Sequence, residues 1–130
     1  MKRIRHLEHR EIFELDLAEK KIVDWSFFSC KFIKCNFLGA KLRQCQFDSC
    51  EFVECDASNV TLGYSHFIDA RFIECKLLGL NWVDVSSPLK LAFNKCRLDY
   101  NVFSNNNLRR FMEAISSMPS LKNANLTMRI

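Results

Sequence analysis

Seven cysteines are the side chains of this 130-residue chain best equipped for chemistry: Cys30, Cys35, Cys45, Cys50, Cys55, Cys75 and Cys96. Thiolates ligate soft metals, and paired thiols close disulfides. In a short secreted chain such a count would indicate a disulfide scaffold. Position argues otherwise, because each cysteine stands two residues before a site that the chain otherwise gives to large apolar residues. At such a site free Cys acts as a compact, well-buried hydrophobe. No CxxC pair occurs, so a soft-metal centre is the sharper alternative and packing the plainer one. His6 and His9 would share a face if helical, which could suit a metal. The blander reading is an exposed pair at a chain terminus. Nucleophile elbow, P-loop, Gly-rich dinucleotide turn and HExxH are all missing, so no enzyme and no cofactor is expected.

The elements that would position these thiols follow from a period of five. Large apolar residues recur at Phe27, Phe32, Phe37, Leu42, Phe47, Phe52, Leu62, Phe67, Phe72, Leu77 and Trp82, with Ala57 filling the remaining place. Two residues earlier runs a mostly small series, from Trp25 and Cys30 to Ala70, Cys75 and Leu80. A helix wants apolar spacing near 3.6 and a strand near 2, so five fits neither. Repeats this short bury a face only by stacking on one another. The expected solution is a solenoid that turns once per pentapeptide, with two positions inward and three outward. The glycines (Gly39, Gly63, Gly79) fall at outward positions read as turns.

NFLGA, KLRQC, QFDSC, EFVEC, RFIEC and KLLGL share a central Phe or Leu with a small residue two before it. The tract from Ile12 to Leu108 resembles the pentapeptide-repeat family. That resemblance implies an all-β fold, a right-handed quadrilateral β-helix with four pentapeptides per coil, whose residues twenty apart stack in columns. Central columns would then read Phe27, Phe47, Phe67 and Phe32, Phe52, Phe72. The other two would read Phe37, Ala57, Leu77 and Leu42, Leu62, Trp82, with a small cavity or an inward relaxation expected at Ala57. Cys35, Cys55 and Cys75 would lie one coil apart, near enough for a disulfide by Cα distance.

The same stacking orders the outer surface. Lys31, Glu51 and Arg71 alternate in sign, a ladder that helps register on a solvated face. Ile33, Val53 and Ile73 would form an apolar outward column, with Phe28, Asp48 and Ile68 on the next and Leu38, Ser58 and Leu78 on another. Contiguous exposed apolar surface marks interaction sites, while β-propensity alone would also favour Ile and Val there. The candidate partner-binding residues are therefore Ile33, Val53, Ile73, Phe28 and Ile68.

One domain of 1–130 is expected: a lead-in at 1–21, a repeat tract at 22–82, a loop at 83–90, a further coil at 91–108 and a cap at 109–130. The loop follows from the phase, since Phe93 lies eleven residues after Trp82 and VDVSSPLK intervenes. Cys96 would again be inward, with Asn101 and Asn106 at small sites, where their amides can bond the backbone. A short C-terminal helix is expected in FMEAISSM before Pro119, and SLKNANLTMRI carries a hint of one more repeat. No apolar run approaches the ~18 residues of a membrane span, and a charged start without an apolar segment makes cytoplasmic residence the default. The leading expectation is a non-enzymatic module that presents a face of the rod to a protein partner, with a homodimer as one form of that contact. The resemblance also extends to the quinolone-resistance group of the family, which implies binding to DNA gyrase or topoisomerase IV. The neutral tract Trp25–Trp82, with six bases and six acids, lacks the acidic face that DNA mimicry would need. After residue 82, seven bases against three acids leave +4. Lys95, Arg97, Arg109 and Arg110 could there touch phosphate, so nucleic-acid contact is a further alternative.

Overall fold

The computed structural model describes residues 5–83, 85 and 91–102, together with the backbone of 126–129. Within these bounds the chain is an all-β solenoid, a right-handed quadrilateral β-helix. One side carries β1 (Arg5–Glu8), β4 (Trp25–Phe28), β7 (Gln46–Asp48) and β10 (His66–Ile68). The second carries β2 (Glu11–Phe13), β5 (Lys31–Ile33), β8 (Glu51–Val53), β11 (Ala70–Ile73) and β12 (Leu91–Asn94). The third is a column of single bridges, Asp16–Asn36–Asp56–Lys76–Arg97. The fourth carries β3 (Lys21–Val23), β6 (Lys41–Arg43) and β9 (Thr61–Gly63).

Every pairing among the described residues is parallel, and from Arg5 to Ile73 the partners are twenty residues apart, as in Leu7↔Phe27↔Phe47↔Phe67. The first full coil thus begins at Arg5, ahead of Ile12, because Leu7 already occupies a central place. Beyond Trp82 the offset becomes twenty-one, with Phe72 opposite Phe93 and Lys76 opposite Arg97. One inserted residue has been absorbed and the columns resume. β13 (Leu98–Val102) pairs with β14 (Leu126–Arg129), so the last repeat-like segment does join the stack. The expected helix at 111–118 and Asn106 lie outside the described residues.

The corners explain why the unit is five residues long. Three residues run along a side, and the second after each central residue takes a positive φ, from 50° to 70°. Gly39 and Gly79 do this freely, but fifteen non-glycine residues among those described do it too, including Ser29, Lys34, Gln44 and Glu54. That conformation disfavours side chains with a Cβ. The compensation is axial hydrogen bonding, since such N–H groups donate to the coil above: His9 to Phe28, Ser29 to Asp48 and Glu54 to Ile73, all at 2.9 Å. Gly63 departs from expectation, lying in β9 rather than at a corner, where Tyr64 takes the positive φ. A Cβ on Gly63 would stand 2.9 Å from the Leu42 carbonyl oxygen.

The core is a set of ring stacks. Phe32, Phe52 and Phe72 lie with centroids 5.0 and 4.8 Å apart and planes within 9°. Phe27, Phe47 and Phe67 repeat this at 5.1 and 5.0 Å. Adjacent stacks meet edge to face, as Phe27 and Phe32 do at 5.3 Å and 77°. Both geometries are favourable for aromatic quadrupoles. At Ala57 the expected gap is present as an apolar cavity of about 30 Å³, which Phe37 and Leu77 also line.

Candidate interaction site

The thiols settle inside. All seven cysteines are free and buried. Sγ atoms lie against the carbonyl of the central residue one coil below: Cys30 against Leu7, Cys55 against Phe32, Cys75 against Phe52, at 3.5, 3.3 and 3.1 Å. Their S–H groups thus serve as weak donors to backbone oxygens, a role that a disulfide would abolish. Burial pushes the Cys35 and Cys45 thiols up, and the Cys50 thiol up to about 12. Cys75, hydrogen-bonded between Cys55 and Cys96 and desolvated, is also held protonated. Among the described residues no group of His, Cys, Asp and Glu could hold a metal ion. His6 and His9 do not share a helical face, because their segment is a strand followed by a corner. His6 Nε2 lies 2.8 Å from Glu8 Oε1, while His9 packs edge-on against Phe28.

Asn101 stands at a small site, completely buried. Its Oδ1 accepts the Trp82 indole N–H at 2.7 Å, and its Nδ2 donates to the Leu77 and Leu98 carbonyls at 2.7 and 3.0 Å. The asparagine ties the upper coil to the Trp82 column and leaves no indole N–H orphaned in the core.

On the outside, Ile33, Val53 and Ile73 stand in strict register on the second side, each half-buried. The column extends one coil further than the sequence reading took it. Phe13 pairs with Ile33 and is 60% exposed. Subtracting twenty from 33 would have found it. Phe28 and Ile68 occupy the first side with Asp48 between them, so that column is interrupted. Leu38 and Leu78 likewise flank Ser58, which is 3% exposed because its hydroxyl turns in to accept the Leu78 N–H at 3.2 Å. Of these columns, the second side therefore offers the continuous apolar strip. Beside it runs the charged ladder, with Lys31 Nζ 3.9 Å from Glu51 Oε2.

Of the four residues expected to touch phosphate, Lys95 and Arg97 are described and exposed. Arg97 faces its own counter-ion, Asp99, at 3.6 Å, which halves the charge the pair can offer. Arg109 and Arg110 lie outside the described residues. Among the described residues no helix is long and apolar enough to cross a membrane.

Comparison with known proteins places this geometry. A family model described as "Pentapeptide repeat region" matches residues 25–103. Among solved structures, a trypsin-treated variant of QnrB1, a plasmid-mediated fluoroquinolone resistance protein, is 20% identical with a TM-score of 0.52. That match covers 78% of this chain and 56% of QnrB1, so the chain spans little over half of that relative's length. A pentapeptide repeat protein of the Arabidopsis thaliana thylakoid lumen is 14% identical with a TM-score of 0.54, covering 89% of this chain and 83% of the other. No curated protein matches.

Proposed function

Because the chain belongs to the pentapeptide-repeat family, we propose that it acts without catalysis, by presenting a side of the solenoid to a protein partner in the cytoplasm. One observation carries this reading: the unbroken column Phe13–Ile33–Val53–Ile73 on β2, β5, β8 and β11. The inward places of those strands are already filled by Ile12, Phe32, Phe52 and Phe72, so these four side chains have no core to join. Burying them against a partner would contribute a few kcal/mol at ~25 cal/mol per Å². The test is Val53→Lys. The variant should fold normally and lose most of the partner recovered from native cytoplasm by the parent chain. Retention of that partner would move the contact off this side, and a steeply salt-dependent capture would favour a nucleic acid.

A second reading is that the partner is a type II topoisomerase. Its support is the fold shared with QnrB1. A gyrase supercoiling assay, with and without a quinolone, tests it directly: absence of any effect at stoichiometric excess sinks it.

A further inference from the structure

The fourth side breaks the charge rule that the second keeps. On the second, Glu11, Lys31, Glu51 and Arg71 oppose one another in turn and their signs alternate. On the fourth, Lys21 stands directly opposite Lys41. Like charges at facing positions destabilise a ladder, so strand register does not account for this pair. Arg43 follows on the same strand, β6, and among the described residues none of these three cations forms an ion pair. Arg5 reaches across from the first side, where its guanidinium donates to the Val23 carbonyl at 3.1 Å. The acids of this side stand at its two corners: Glu19, whose carboxylate lies over Gly39, and Asp24, whose N–H donates to the Arg43 carbonyl. With Lys20 included, five bases thus face two acids.

A groove of about 400 Å³ crosses this ground, lined by Lys21, Lys41, Arg43, Thr61, Gly63 and Tyr64. Val23, Arg43 and Gly63 share one outward column, and at Gly63 the side chain is missing. A Cβ there would meet the Leu42 carbonyl oxygen at 2.9 Å, so the backbone itself keeps that place open. Beside the gap Tyr64 is 63% exposed.

We propose that this groove binds a nucleotide, its diphosphate on Lys21, Lys41 and Arg43 and its base against Tyr64. The argument is charge complementarity together with the ring. Neighbouring coils are about 4.8 Å apart, so the lysines and the arginine offer donors to adjacent phosphate groups rather than to one point. Ammonium and guanidinium groups suit phosphate oxygens, and every base has a π-face on which an aromatic side chain can stack. The extent of the charge selects a single nucleotide over a strand. Twenty residues after Lys41 and Arg43 come Thr61 and Gly63, and twenty later Asn81 and Val83, all uncharged. A polynucleotide needs cations that track its backbone, whereas here, among the described residues, they occupy two coils. The groove's volume falls in the range of ligand sites, about 300–1,000 Å³.

The experiment is isothermal titration of the full chain with ADP at fixed ionic strength, with circular dichroism to verify folding. Saturable one-to-one binding is expected, weakened at least about tenfold by Lys41→Gln and by Arg43→Gln, both at exposed positions. Tyr64→Ala should weaken ADP yet leave inorganic pyrophosphate as in the parent, which separates the ring from the charges. Lys34→Gln removes an exposed cation from another corner and should change nothing, and Val53→Lys should also leave ADP bound, which separates this groove from the apolar strip. Absence of saturable binding at millimolar ADP, an equal loss with Lys34→Gln, or indifference of ADP to Tyr64→Ala would each overturn the proposal. So would a ten-residue single-stranded oligothymidylate that binds more tightly than ADP with a steep salt dependence, since the groove would then belong to a nucleic acid.

Discussion

At the residue scale the informative groups are the buried thiols. For Cys50 the protonated form is the one the fold accommodates, since its S–H faces the Phe27 carbonyl and a thiolate there would be desolvated. Cys50 moves from an ordinary 9.0 to about 12. Below pH 9 the thiol is protonated in both states and its contribution is constant. Above that, the unfolded chain releases the proton and the native one holds it, so stability falls as pH rises, until the native thiol ionises near 12. Urea midpoints measured across this window should therefore decline. Cys50→Ala, which installs the residue already found at Ala40 and Ala70, should remove about 1.4 kcal/mol per pH unit from that slope. An unchanged slope would mean that Cys50 ionises as readily folded as unfolded.

At the scale of the element, each pentapeptide contributes one ring or branched side chain to a column, and the column is worth what its members bury. Phe47 touches rings above and below as well as Phe32 and Phe52 in the adjoining stack. Phe47→Ala should cost about 3–5 kcal/mol by chemical denaturation, against near silence for the exposed Lys41→Ala. Equal small losses would contradict a packed core. The Ala57 cavity runs the other way. Ala57→Leu restores the side chain present at Leu77 and Leu98, and should add about 0.5–2 kcal/mol by filling space now empty. A lower melting temperature would show that the coil has already relaxed around the alanine.

For the whole molecule, stability is a sum over neighbouring coils rather than over one compact centre. Among the described residues the interior coils have neighbours on both sides, while the coil that starts at Arg5 has one, and its Leu7, Ile12, Leu17 and Ile22 are only partly buried. Native-state hydrogen exchange should find the amides of Phe52 and Cys55 protected to the global limit. Those donated by the first coil, such as His9 and Glu14, should open sooner. Uniform protection from end to end would instead describe a single cooperative unit.

The period of five and the inward series together determined the inward and outward places and the lodging of every cysteine, because a solenoid repeats one local rule, while the four sides and the twenty-residue columns followed from the family resemblance. The extra residue after Trp82 was legible for the same reason: a phase shift is a sequence property. What lies outside that rule was decided only in three dimensions. Ser58 turns inward between two leucines, and Arg97 is taken up by Asp99. Each depends on which side chains neighbour one another across coils and on whether a polar group can find a backbone partner. The partial exposure of the first described coil was hidden for a related reason. Leu7, Ile12, Leu17 and Ile22 read in sequence as ordinary core residues, and only the stack shows that burial requires a neighbour on both sides.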